Sequence, residues 1–166
     1  MPLPQGPVLA VAALRVAELA RARHNQRRLL ARGGRELGAG HYPLVVALHV
    51  AWLVALFPAI PPDRPPVWAA LAGFTMLQAA QLWIIVSLGE YWTTRVITVP
   101  GAALIRRGPY RWLRHPNYLV VAAEIALLPM VFGAWPIALT FSLANALVLA
   151  RRIRVEDAAL AQRRPL

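Results

Sequence analysis

Residues 66–88 read PVWAALAGFTMLQAAQLWIIVSL, a stretch without one charged side chain. Wound as a helix rising about 1.5 Å per residue, it is long enough to cross a hydrocarbon core of roughly 30 Å, and it decides the class of the fold. Three further runs share its character: 43–60 (PLVVALHVAWLVALFPAI), 118–132 (YLVVAAEIALLPMVF) and 134–150 (AWPIALTFSLANALVLA). The pattern predicts an all-α integral membrane protein with four transmembrane helices. A fifth segment, 7–22 (PVLAVAALRVAELARA), is interrupted by Arg15 and Glu18. Three apart, these two share a helical face on which a buried pair neutralises itself. The segment is either a fifth span facing the bundle or a helix lying in the interface.

Composition agrees with that reading. Of 166 residues, 58% are apolar and 15% charged, against about 25% charged in soluble domains, and mean hydropathy is +0.50. The chain has room for four or five spans and short connections, so 1–166 reads as a single membrane domain. With no Cys, disulfides, Cys-ligated metals and thiol nucleophiles drop out, and the chemistry falls to His, Arg, Tyr, carboxylates and amides. The net charge of +11 comes entirely from arginine, and most of the 18 lie in 21–41, 89–116 and 151–166. Excess arginine marks cytoplasmic loops, so these segments and the C-terminus are expected on the cytoplasmic face of a multi-pass cell-membrane protein. Membrane lipids then account for the charge, and no nucleic-acid partner is expected. On the opposite side, Pro61, Pro62, Pro65 and Pro66 make one stiff turn and Gly133-Ala134-Trp135-Pro136 another.

Two segments on the arginine-rich face are more than connections. In the first, Gly108-Pro109-Tyr110-Arg111-Trp112 leads into Arg114-His115-Pro116-Asn117-Tyr118. Pro116 pushes His115 towards extended backbone, so a helix is expected to start at or just before Asn117, a good N-cap. A helix N-terminus flanked by His and Arg donors suits an anion, while the plainer reading is an interfacial belt of Arg, Tyr and Trp meeting lipid. In the second, Asn145, Leu149, Arg152 and Glu156 are spaced four, three and four apart and form one stripe. A polar stripe on a spanning helix faces protein or a cavity, although Arg152 and Glu156 also suit an exposed ion pair. Glu124, two turns beyond Asn117, lies on nearly the same face about 10 Å deeper. It is either a functional carboxylate or a structural partner for Arg15. The four histidines, His24, His41, His49 and His115, match no metal-ligand pattern, so no metal is expected. A b-type haem electron carrier and a non-catalytic membrane scaffold stand as readings of other classes. The haem reading is weakened because His41 and His49, eight apart, point about 80° away from each other.

Taken together, Gly108-Pro109-Tyr110, Arg114-His115-Pro116-Asn117-Tyr118 and Arg152-x-x-x-Glu156-Asp157-x-x-Leu160 resemble the catalytic half of the isoprenylcysteine carboxyl methyltransferase family. These membrane enzymes take a methyl group from S-adenosyl-L-methionine. The family pattern is RHPxY followed across a helical hairpin by RxxxEExxL, and this chain departs from it with Asp157 at the second acidic position. In the N-terminal half, Arg15-x-x-Glu18-Leu19, His24-Asn25, Arg32-Gly33-Gly34-x-Glu36, His41-Tyr42-Pro43, His49 and Gly89-x-x-Trp92-Thr93-x-Arg95-Val96 resemble a bacterial branch encoded with type III polyketide synthases. That branch O-methylates long-chain alkylresorcinols and alkylpyrones. The resemblance implies N-terminal helices, 1–100, on the substrate side and a catalytic half, 101–166. It implies a cofactor site of Tyr110, Arg114, His115, Pro116, Asn117, Tyr118, Asn145 and Glu156, with His115 and Tyr118 on the carboxylate of S-adenosylmethionine and Glu156 on its ammonium or ribose. It gives catalysis to Arg152, steadying a phenolate or carboxylate, with Glu124 or His115 as base. The implied partner is a lipophilic acceptor entering from the bilayer, an alkylresorcinol or alkylpyrone first, a prenylated cysteine carboxylate or a phospholipid amine as alternatives.

Overall fold

A computed structural model describes residues 5–61 and 65–161. Pro62, Asp63 and Arg64 of the expected proline turn, and Arg163 and Arg164 of the basic tail, lie outside the described residues. The elements run α1 (Gly6–Ala31), β1 (Arg35–Leu37), α2 (Tyr42–Leu56), α3 (Trp68–Leu88), β2 (Val96–Thr98), α4 (Pro116–Val131) and α5 (Trp135–Ala161), with short 3-10 turns between them. Three stretches, Ala39–Ala59, Trp68–Tyr91 and Trp135–Ala161, are long and apolar enough to cross a membrane, and α4 is apolar but shorter. The helical membrane architecture stands in these elements.

The apolar core explains how the helices assemble. Val8 and Val11 of α1 pack with Leu48, Trp52 and Leu56 of α2, Phe74 of α3, Ile125 and Leu128 of α4 and Val148 of α5. Farther along, Ala22 of α1 joins Ile84 and Ile85 of α3 with Trp92 and Val120. Contact with both clusters sets α1 lengthwise along the bundle. Its interrupting charges are absorbed inside: Arg15 reaches Glu18 at 2.7 Å and Glu124 at 3.0 Å, and Gln78 donates to the same Glu124 oxygen at 2.7 Å. A buried carboxylate in an apolar setting must be paired, and this one ties α1, α3 and α4 together. One level nearer the helix start, Gln81 Nε2 donates to Asn117 Oδ1 at 3.3 Å.

At one end of the bundle Val67 N–H donates to Val131 C=O at 2.8 Å, closing the two turns against each other. The polar segments gather at the other end. There β1 and β2 pair antiparallel, Arg35 with Thr98, Glu36 with Ile97 and Leu37 with Val96. This two-stranded sheet was not part of the helical expectation. Strands of three residues carry too few positions for an alternating pattern to register. Asn25, buried on α1, donates through Nδ2 to the carbonyls of Gly89 (3.0 Å) and Trp92 (2.8 Å), fixing the chain that leads into β2. Gly38, with φ of 64°, carries β1 into the start of α2 so close to His41 and Val155 that a Cβ would overlap both.

The start of α4 corrects the expected cap. His115 is the N-cap, Pro116 occupies the first turn, and no side chain caps the helix. Proline suits this position because it has no N–H to leave unpaired and its φ is already helical. Asn117 is released to face Gln81.

Candidate active site

Where β2, the 104–114 segment, the start of α4 and the end of α5 converge, they enclose a cleft of about 550 Å³, within the usual range for small-molecule sites. Tyr110, Arg114, His115, Asn117, Tyr118, Arg152 and Glu156 all line it. The loop that brings Tyr110 there is held by Arg107, whose Nε donates to the Ser87 carbonyl at 2.6 Å. Gly108, at φ 56°, sits so close to Ser87 that a Cβ would collide with its side chain.

A chain of contacts organises the polar wall. Arg152 is buried on α5; its Nε donates to Tyr118 Oη at 2.9 Å and its Nη2 to the Thr94 carbonyl at 2.6 Å. Tyr118 in turn donates to Glu156 Oε2. The His115 ring stacks on Tyr118, with centroids 5.5 Å apart. Its Nε2 lies 3.0 Å from Asp157 Oδ1, and Arg114 Nε approaches the same oxygen at 3.2 Å. Asp157, where the family pattern has Glu, therefore orients His115 and Arg114. Nδ1 is the second ring nitrogen of His115. Nδ1 is buried without a hydrogen-bond partner and sits 3.8 Å from Glu156 Oε1. Glu156 takes the Tyr118 hydroxyl on Oε2 and has Oε1 as a second acceptor, suited to a cationic donor. Burial and the nearby Glu156 carboxylate hold the Tyr110 phenol above the ordinary tyrosine range, so it enters the cleft as a neutral aromatic.

Three of the residues singled out from sequence sit elsewhere. Pro116 starts α4 without lining the cleft, and Asn145 is buried in α5 away from it. Glu124 is engaged by Arg15 and Gln78 in the helix bundle, a different occupation from that of a base beside an acceptor. His115, expected on the cofactor's carboxylate, has its Nε2 beside Asp157. Thr94 is the residue that sequence reading missed, since a backbone carbonyl leaves no mark in a motif. Arg95, noted only within a softer motif, also lines the cleft. His49 donates through Nδ1 to the Val45 carbonyl at 2.8 Å, one turn back on its own helix.

Fold and site together define a helical membrane protein with a polar, arginine-rich cleft at one end of its bundle. The chain belongs to the isoprenylcysteine carboxyl methyltransferase (ICMT) family, whose model matches residues 68–162. That membership places it among membrane methyltransferases, a family that uses S-adenosylmethionine. It is 38% identical over 150 residues to the uncharacterized protein YpbQ of Bacillus subtilis (strain 168), covering 88% of this chain and 89% of that one. It is 26% identical over 155 residues to an uncharacterized protein of Haemophilus influenzae, covering 90% of each. No solved structure matches it.

Proposed function

We propose that the protein is an S-adenosylmethionine-dependent O-methyltransferase acting on a long-chain phenolic lipid of the alkylresorcinol or alkylpyrone type, at the cytoplasmic face of the cell membrane. The observation that carries this reading is the cleft of about 550 Å³ whose wall brings His115, Tyr118, Arg152 and Glu156 together. Glu156 receives the cofactor's ammonium. Arg114 and the N-terminus of α4 supply donors for its carboxylate, and Tyr110 and Trp112 offer aromatic surface for the adenine. The cofactor supplies an electrophilic methyl on a sulfonium. Arg152 holds Tyr118 and the Thr94 carbonyl in register, and its charge faces the acceptor oxygen. Positive charge beside a phenol favours its ionised form, which is the form that attacks. Holding both reactants in line, away from water, is the protein's main contribution to rate. The N-terminal helices form the acceptor side, and the acyl chain reaches the cleft from the bilayer.

The test uses purified protein in liposomes with methyl-labelled S-adenosylmethionine and three acceptors: a 5-alkylresorcinol, an S-farnesylcysteine derivative and phosphatidylethanolamine. Label is expected in the resorcinol ether. Label confined to the farnesylcysteine ester or to the phospholipid would replace the acceptor in this reading, and none in any lipid would overturn it.

A further inference from the structure

We infer that Arg95 grips the acidic oxygen of the acceptor, and that Glu36 and Tyr42 are positioning residues holding it from the N-terminal half; this rests on the methyl transfer proposed above. Arg152 is poorly suited to be the sole contact for that oxygen. It is only 7% exposed, and both its Nε and its Nη2 are committed to protein acceptors. Arg95 lines the same cleft with its side chain 33% exposed.

Arg95 is held on two sides. Its Nη1 donates to Glu36 Oε1 at 2.7 Å, and its guanidinium lies over the Tyr42 ring, 4.3 Å from the centroid. Tyr42 is fixed in turn by a 3.2 Å hydrogen bond between its hydroxyl and Thr94 Oγ1. A guanidinium tied at one nitrogen and stacked on one face keeps a rigid fork with donors to spare, the geometry that binds an oxyanion at low entropic cost. Residue 94 also provides the carbonyl that accepts from Arg152, so the two cations share one stretch of backbone as their support. Charge points the same way. Among the described residues, Arg95, Arg106, Arg111, Arg114 and Arg152 line the cleft with Glu156, and even with Glu36 paired to Arg95 and Asp157 to Arg114 the arginines outnumber these carboxylates, which favours an acidic oxygen, phenol or carboxylate, over an amine. Glu36 and Tyr42 precede the 68–162 stretch matched by the family model, where a determinant of acceptor choice can vary without disturbing cofactor use.

If the Glu36 to Arg95 pair served only to stitch β1 to β2, its effects would not depend on the ligand's oxygen. The experiment therefore varies protein and ligand together. Wild type, Arg95→Gln, Arg95→Lys and Glu36→Gln in liposomes are saturated with S-adenosylhomocysteine. Equilibrium binding is then measured for a 5-alkylresorcinol, its dimethyl ether and S-farnesylcysteine. Wild type should prefer the free resorcinol to the ether. Arg95→Gln should weaken resorcinol binding roughly 10- to 100-fold, as for a lost charge-assisted hydrogen bond, while leaving ether binding and S-adenosylhomocysteine affinity within about twofold. Arg95→Lys should recover part of the loss, and Glu36→Gln should show a smaller loss of the same selectivity. A parallel loss for both ligands, an unchanged preference, or no binding of any acidic acceptor to wild type would overturn the inference. Labelled-methyl turnover by the same variants, prepared without S-adenosylhomocysteine and given S-adenosylmethionine, is a separate arm: transfer that persists with an unchanged Arg95→Gln preference sinks this inference alone, and absence of transfer by wild type sinks the function proposed above.

Discussion

Tyr118 accepts from Arg152 and donates to Glu156, so two side chains of the cleft are joined through one hydroxyl. This linkage makes substitutions on α5 fail in distinguishable ways. Glu156→Gln keeps the shape and removes the charge proposed to face the ammonium. It should raise the apparent KM for S-adenosylmethionine by about tenfold or more with kcat less affected, read from initial rates over a cofactor titration. Arg152→Lys loses the fork that serves Tyr118 and Thr94 at once. It should lower kcat and raise the cofactor KM together, because Tyr118 then no longer holds Glu156 in place. Wild-type kinetics in both variants would reduce the α5 stripe to an ion pair without function. Glu124 belongs to another class of effect. Glu124→Ala leaves Arg15 without its interhelical carboxylate and should destabilise the bundle by about 3 kcal/mol, visible in thermal unfolding in detergent, while the folded fraction retains its specific activity. At this scale the sequence was readable where cleft-lining residues follow one another along one helix or one short loop, as in Arg114-His115 and Arg152-x-x-x-Glu156. The grip of Asp157 on His115 joins residues 42 positions apart and is set by tertiary approach that no spacing encodes.

Gly108 shows what a connecting element contributes. Its positive φ and its contact with Ser87 let the loop after β2 fold flat against α3 and carry Tyr110 into the cleft. Gly108→Ala combines an unfavourable backbone region with a collision and should cost about 1–3 kcal/mol. Because the strain falls on the cleft wall, cofactor affinity should drop as well, measured by titration with S-adenosylhomocysteine. Unchanged affinity would separate this loop from the site. The apolar runs announced α2, α3 and α5 because spanning helices need long uninterrupted hydrophobic stretches. The small sheet escaped notice because three-residue strands have almost no periodicity of their own. Its strands lie about 60 residues apart in sequence, and Asn25 reaches two carbonyls more than 60 residues away to fix the chain leading into β2.

Seen whole, the molecule separates two environments. One end of the bundle is closed by apolar packing around Val131 and Phe132, and the other collects the strands, the cleft and the arginines that line it. If that end is cytoplasmic, as arginine placement suggests, a reporter joined beyond α5 should be active only inside the cell. Activity outside would invert the orientation of the cleft. The N-terminal half grips the 89–98 segment through Asn25, Glu36 and Tyr42, and the C-terminal half supplies His115, Tyr118 and Glu156. The site exists only where the two meet. The most direct test of that claim is the rate of methyl transfer from labelled S-adenosylmethionine to a 5-alkylresorcinol in liposomes, for wild type and Glu156→Gln at limiting and saturating cofactor. The expected result is resorcinol methylation by wild type, a large deficit in the variant at limiting cofactor, and substantial recovery at saturation. Equal rates at both concentrations, or no methylated resorcinol from wild type, would contradict it.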